Sequence, residues 1–263
     1  MNIYIINLIS AKDRRLHQEA QFRALELPYT VFNAVTPDQV SATAPSNVQW
    51  DRWVRPISNS ERACFLSHLS LWKKVASSSS PALILEDDAV LSKRLPSTLK
   101  LLEQLHNIDH INLETTGRKK FLSTGTLLCD DIYLKKLYLD RSGAGGYILW
   151  PSGARKLLQK LDKDGPALTD AFINSTGSLR SYQISPALTI QPCISSLFNY
   201  TATFRIDTHI SKEALSDSTS GGKEFFRYKV RRIFHELKLG FRILLILHKS
   251  KRELTPPDRA YLP

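Results

Sequence analysis

The sequence is poor in the residues that would place it in several common classes. Its 263 residues include only three cysteines, Cys64, Cys129 and Cys193, and one methionine. The cysteines are odd in number, far apart and form no CxxC pair. That excludes the usual spacing of zinc and thioredoxin-like sites and leaves reduced thiols in a cytosolic protein as the plain reading. No stretch approaches the roughly 18 apolar residues that a membrane-spanning helix needs. The start, "MNIYIINLIS", has no positive n-region and too short an apolar stretch for a signal peptide, so it reads as a first β-strand. There is no GxGxxG fingerprint and no internal repeat. The only acidic pair outside one triplet, Asp130-Asp131, looks exposed. The formal charge of +11 is uneven: ten Lys/Arg and two Glu fall between Lys223 and Arg252. A whole-protein argument for nucleic-acid binding therefore loses its force, and no nucleic-acid partner is expected.

What is present is ordinary for a globular chain, with 42% hydrophobic and 9% aromatic residues. Strands are expected at Asn2–Leu8, Tyr29–Val35, Ala82–Leu85, His110–Leu113 and Gly145–Trp150. Helices are expected at Ala11–Glu26, with Ser10 as its cap, and at Ser60–Ala76, Ser97–His106, Pro151–Leu161 and within "TDAFINS". Pro37–Arg55 reads as a loop anchored by Trp50 and Trp53, and Gly117–Thr126 as a basic loop. Alternating strands and helices predict an α/β domain with a mainly parallel sheet covered on both faces. Ligands of such sheets sit outside the carboxyl ends of the strands.

The segment "PALILEDDAVL" (Pro81–Leu91) brings three consecutive carboxylates to such an end. Three adjacent negative charges are costly unless water or a cation offsets them. Mn²⁺ or Mg²⁺ is the natural partner, because hard cations take oxygen ligands and leave positions open for phosphate. Alternation along an extended chain turns Glu86 and Asp88 one way, as metal ligands, and Asp87 the other, to bond elsewhere or to reach a sugar hydroxyl. The competing reading is a solvated acidic turn.

"INLISAKDRR", "SERACFLSHLSLW", "ALILEDDA" and "SGAGGYILWPSGARKLL" occur in the order seen in glycosyltransferase family 25, and over residues 1–200 the chain resembles that family. The resemblance implies a GT-A-type, Rossmann-like fold and inverting transfer of a hexose from a nucleotide sugar, most often UDP-galactose. It implies an acidic motif that holds Mn²⁺ against the donor diphosphate, a role that falls here on Glu86 and Asp88 with Asp87 beside them. Where family members often read GExGC, this chain has Ser60-Glu61-Arg62-Ala63-Cys64.

On that basis Asn7, Arg14 and Arg15, at the first strand–helix turn, are candidates for the base, ribose or phosphate of the donor. Without it, both arginines would simply decorate a helix face. Ser67 and His68 are candidates for contact with the donor sugar or diphosphate. Glu61 lies two turns from His68 on the same helix face. Gly143, Gly145 and Gly146 let backbone approach a ligand, or merely turn the chain into the next strand. Asp170, in "GPALTDAF", resembles an acceptor-side family element and is the candidate base for the acceptor hydroxyl, with Glu61 as fallback. The bland reading of Asp170 is a helix-dipole partner. His209 is a late candidate for a third metal ligand, without supporting neighbours.

Residues 223–252 place Phe226, Val230, Ile233, Leu237, Phe241 and Leu244 at helical spacing among basic residues, with Gly240 as a candidate break. This predicts a cationic amphipathic helix lying against anionic lipid. The expected organisation is a transferase domain at residues 1–218 and a basic tail at 219–263, hinged at Thr219–Gly222. The protein would work at the inner face of the cytoplasmic membrane on a lipid-linked glycan acceptor of lipooligosaccharide synthesis. The rivals are a metal-dependent phosphohydrolase or nucleotidyltransferase, which needs more converging carboxylates, and a non-catalytic sugar-binding homologue.

Overall fold

The computed structural model describes residues 1–46, 48–192 and 222–261, excepting the side chains of 222–225. His209, Cys193 and residues 219–221 of the expected Thr219–Gly222 hinge lie outside the described residues, and Gly222 begins a helix. The helices are α1 (Lys12–Ala24), α2 (Val40–Thr43), α3 (Asn59–Ala76), α4 (Leu95–Glu103), α5 (Pro151–Asp164), α6 (Thr169–Ser175) and α7 (Gly222–Ile246). The first strands are β1 (Asn2–Asn7), β2 (Thr30–Asn33), β3 (Ala82–Glu86), β4 (Val90–Leu91), β5 (His110–Asn112) and β6 (Glu114–Thr115). They are followed by β7 (Lys119–Leu122), β8 (Thr126–Cys129), β9 (Ile132–Leu139), β10 (Gly146–Leu149), β11 (Ser181–Ser185), β12 (Thr189–Ile190) and β13 (Lys251–Leu254).

The main sheet runs β13-β7-β9-β11-β5-β10-β3-β1-β2, with β8 paired to β9. It is mixed rather than mainly parallel. β2, β1 and β3 are parallel, as are β5 and β11, but β10 runs against both β3 and β5. The reason is connectivity: β10 enters from a loop at the carboxyl ends of its neighbours and must run back. The β7–β9 segment, read partly as loop, forms antiparallel strands joined by tight turns.

Alternation along β1 explains the two cores. Tyr4 and Ile6 pack on one face with Phe65, Trp72 and Phe172 from α3 and α6. Ile3 and Ile5 pack on the other with Phe22 of α1 and Leu99 of α4. Central strands buried on both faces read as continuous apolar runs, which is why "ALIL" and "YIIN" were legible. α3 begins with a capping box in which Ser58 and Glu61 exchange hydrogen bonds. Ser10 does not cap α1: the N-cap is Ala11 and makes no side-chain bond.

The end of the chain is in two parts. α7 is continuous through Gly240, and β13 then pairs with β7. Asp258 is bound by Ser92 and Arg94, and Tyr261 donates to the carbonyl of Ala187. No helix among the described residues is long and apolar enough to cross a membrane.

Candidate active site

β3 and β5 run the same way, and each delivers a carboxylate at its end: Glu86 from β3 and Glu114 just past β5. Between them β10 starts from the glycine loop 142–146. The Glu86 backbone N–H donates to the Gly145 carbonyl (3.0 Å), and the Gly145 N–H donates to Glu114 Oε2 (3.2 Å). At its glycines the loop has no room for side chains. A Cβ on Gly143, where φ is +111°, would sit 1.9 Å from Asn112 Nδ2, and one on Gly145 would sit 2.7 Å from Glu114 Oε1. Asp170, in the first turn of α6, closes the group by accepting from the Ala144 N–H at 2.7 Å.

The electrostatics of the group are those of crowded carboxylates. Burial pushes Asp170 up to about 6, helped by the charge of Glu86 and opposed by the Ala144 bond. Burial, then Glu86 and Asp87, pushes Asp88 up to about 7 against the pull of Arg14. Glu114 is held well above the carboxylate range by burial, then by Asp170 and Glu86. One oxygen each of Asp88 and Glu114 is buried without a hydrogen-bond partner. Unpartnered buried carboxylate oxygens are expensive unless a proton or cation completes them. Oxygen donors of this kind are what a hard divalent ion takes, but no three of these carboxylates bring ligand atoms within 4.8 Å of one another; among the described residues Glu86 is grouped that closely with Cys64 and His68 instead.

Asp87 is not free. It accepts from Asn7 Nδ2 (2.7 Å) and Arg14 Nη1 (2.9 Å), and its backbone carbonyl accepts from Gln18 Nε2 (3.0 Å). Asn7 and Arg14 therefore brace the acidic turn, and Asp87 is the group that bonds elsewhere. Arg15 pairs with Glu19 on the exposed face of α1 and is not brought to the site. Ser67 is buried, donates to the Ala63 carbonyl and accepts from the Val35 N–H, so it holds the chain after β2. Glu61 caps α3 and is clasped by Arg55 at 2.6 and 3.0 Å. Burial raises the Glu61 pKa, but the Arg55 and Ser58 bonds outweigh it and leave it below the usual value. That is the wrong direction for a base, and Asp170 is the better poised of the two.

His68 is buried, with Nε2 3.5 Å from Glu86 Oε1. Trp72 Nε1 donates to the Tyr147 hydroxyl at 2.8 Å, and that hydroxyl lies 2.9 Å from His68 Nδ1. The hydroxyl oxygen has a second lone pair, so it can donate to Nδ1 or accept from Nδ1–H, and His68 Nε2 makes no hydrogen bond among the described residues. Cys64, His68 and Glu86 bring three possible ligand atoms within 4.8 Å of one another. A soft metal there would have to displace a thiol proton that burial, then Glu86, holds firmly in place.

The sequence reading missed Glu114, Gln18 and Tyr147. A signal existed for Glu114: "HINLE" is a short apolar strand ending in a carboxylate, the pattern that singled out Glu86. Nothing in sequence announces Gln18 or Tyr147, which matter through contacts across more than sixty positions.

A family model described as glycosyltransferase family 25 (LPS biosynthesis protein) matches residues 1–173. A Haemophilus influenzae protein described as a putative glycosyltransferase is 29% identical over 198 residues, covering 72% of this chain and 69% of its own length. The lipooligosaccharide biosynthesis protein lic2B of Haemophilus influenzae is 26% identical, covering 72% of this chain and 75% of its own. The lacto-N-neotetraose biosynthesis glycosyltransferase LgtE of Neisseria gonorrhoeae is 26% identical over 96% of this chain and 91% of its own.

Proposed function

Since the chain belongs to glycosyltransferase family 25 and is a glycosyltransferase, we propose that it moves a hexose, galactose from UDP-galactose, onto a lipooligosaccharide acceptor with inversion. The names of the relatives support the acceptor class. The observation that carries the reading is the convergence of Glu86, Glu114 and Asp170 on the glycine loop, with Asp88 two residues past Glu86 and one oxygen each of Asp88 and Glu114 left unpartnered. In the reaction, Asp170 takes the proton of the acceptor hydroxyl as that oxygen bonds to the anomeric carbon. The bond from that carbon to the UDP oxygen breaks, and UDP leaves with the electron pair. One displacement gives inversion without a covalent intermediate. Mn²⁺ or Mg²⁺ held by Glu86 and Asp88 would neutralise charge on the departing diphosphate. Asn7 and Arg14, through Asp87, keep the acidic turn in place. His68 Nε2, 3.5 Å from Glu86 Oε1, would restrain that carboxylate when it carries the proton.

The four-carboxylate group is also what the nucleotidyltransferase reading needs, so the test must separate them. Incubation with UDP-galactose, Mn²⁺ and a lipooligosaccharide acceptor is expected to release UDP. Asp170→Asn is expected to slow turnover about 10²- to 10⁴-fold. Pyrophosphate release from UTP and a hexose 1-phosphate would favour the rival. UDP release untouched by Glu86→Gln, Asp88→Asn and chelator would remove the metal assignment.

The tail supports work at the inner membrane face. Phe226, Ile233, Leu237, Phe241 and Leu244 share one side of α7, and each is more than half exposed. Arg231 and Arg242 face the other way and donate to backbone carbonyls of the body. The helix thus docks by its basic side and turns its apolar side outward, the reverse of what a water-facing helix does. An anionic bilayer is the occupant that suits this side together with the exposed Lys229 and Arg232.

A further inference from the structure

Because α7 docks by its basic side, it does not close flush on the body. A cavity of about 510 Å³ lies between α7, α6, the end of β9 and the segment around Trp53. That volume is within the roughly 300–1,000 Å³ of small-molecule clefts. Six basic residues line it: Arg52, Arg141, Lys160, Arg231, Lys238 and Arg242. Three acids do so as well, but Asp140 is fully engaged with the buried Lys120 at 2.8 Å. Asp164 and Glu236 make no ion pair among the described residues, and neither do Arg141, Lys160, Lys238 or Arg242.

Two of these cations are half-buried and make no ion pair among the described residues. Arg242 spends its guanidinium on the carbonyls of Asn174 and Tyr138. Lys160 lies 4.7 Å from the Phe172 ring centroid and donates to Ser175 Oγ and the Phe172 carbonyl. Burial pulls the Lys160 pKa down to about 8; Asp164 opposes this while Lys238 and Arg242 reinforce it. A partly buried ammonium among other cations is unfavourable unless an anion arrives. The apolar share of the wall comes from Trp53, half-buried and edge-on to His235 at 5.3 Å, with Phe172 and Phe234. Aromatic surface beside cations suits a sugar ring that carries an acidic group.

The cavity is also placed for an acceptor. Ala171 and Asn174 line it from α6, the helix whose first turn holds Asp170. Arg141 adjoins the glycine loop, and Asn174 donates to the Ser142 carbonyl of that loop. We propose that this cavity, with Lys160 and Arg141 among its lining cations, binds an acidic sugar of the acceptor glycan, one bearing a phosphate or a carboxylate. This rests on the transferase reading for the word acceptor, but not for the binding itself.

Binding is therefore measured first without turnover, by calorimetry on the full chain, with galactose 6-phosphate, galacturonate, inorganic phosphate, neutral galactose and vesicles containing phosphatidylglycerol. Both acidic sugars are expected to bind and neutral galactose to bind about tenfold or more weakly. Lys160→Met keeps the packing on Phe172 and is expected to lose that preference, and Lys160→Arg to keep it. In turnover, Lys160→Met is expected to raise KM for an acidic acceptor and leave KM for UDP-galactose unchanged. Equal binding of acidic and neutral sugars, or equal affinity in Lys160→Met and wild type, would overturn the proposal. So would binding to inorganic phosphate or vesicles alone. If no nucleotide sugar is turned over but the charge-dependent sugar binding persists, the transferase details fail and this site stands. Arg141→Gln is the second variant, chosen because Arg141 is exposed and its loss should not unfold the chain.

Discussion

Tyr147→Phe removes one oxygen and should expose how the site is held. The Tyr147 hydroxyl is the acceptor for Trp72 Nε1 and the partner of His68 Nδ1, and all three side chains are essentially buried. Without it, a buried N–H and a buried ring nitrogen both lose their partner, at about 1–3 kcal/mol each. The removed atom leaves little space for water, since the ring also packs against His68 and His110. The expected loss is about 2–6 kcal/mol. For 263 residues, an unfolding entropy of about 2 cal/mol/K per residue converts that to a Tm lower by about 4–11 °C. Urea denaturation with a fitted slope reads the free energy directly. The functional consequence follows from the tautomer. Where the hydroxyl donates to Nδ1 in wild type, its loss frees the imidazole to carry its hydrogen there and present a lone pair to Glu86, which repels the carboxylate. Nitrogen-15 spectra of the histidines should show Nε2–H in wild type and a mixture in the variant, with a lower kcat. A variant within about 0.5 kcal/mol of wild type, its histidine still wholly Nε2–H, would show that the buried relay does not exist.

Asp109 is buried and takes hydrogen bonds from Arg180, Lys156 and Ser152. Burial pushes its carboxyl up, but those bonds outweigh it and hold the pKa well below the usual range. A depressed folded pKa gives stability that is present above the unfolded value, about 3.9, and disappears as the pH falls further. Asp109→Asn should cost about 2–3 kcal/mol at pH 7, since Arg180 and Lys156 reach water, and should flatten the acid limb of the stability curve. Gly143→Ala should destabilise by more than about 1 kcal/mol, because φ of +111° and the Asn112 contact both oppose a Cβ; chemical denaturation and donor KM would report it. Leu237→Asp with Phe241→Asp should weaken sedimentation with anionic liposomes about tenfold or more while leaving the Tm within a degree or two, as both side chains face outward.

Local pattern in the sequence was enough for β1, α1, α3, β3, β10 and α5, because period and punctuation are written into neighbouring residues. It also carried the family resemblance and the acidic strand tip, since a triplet of carboxylates after an apolar run is a local oddity. Pairing direction was not local. The sheet became mixed because β10 had to run back from the glycine loop, and β13 joined from the far end of the chain. Side-chain partnership was not local either. Arg14 and Arg15 are neighbours, yet helical rotation sends one to Asp87 and the other to Glu19. Glu114 became part of the acidic group only when β3 and β5 were laid on either side of β10. The basic face of α7 was legible as a face, but which side would meet the protein was decided by the carbonyls of Asp51, Tyr138 and Asn174. Backbone acceptors of that kind leave no trace in residue type.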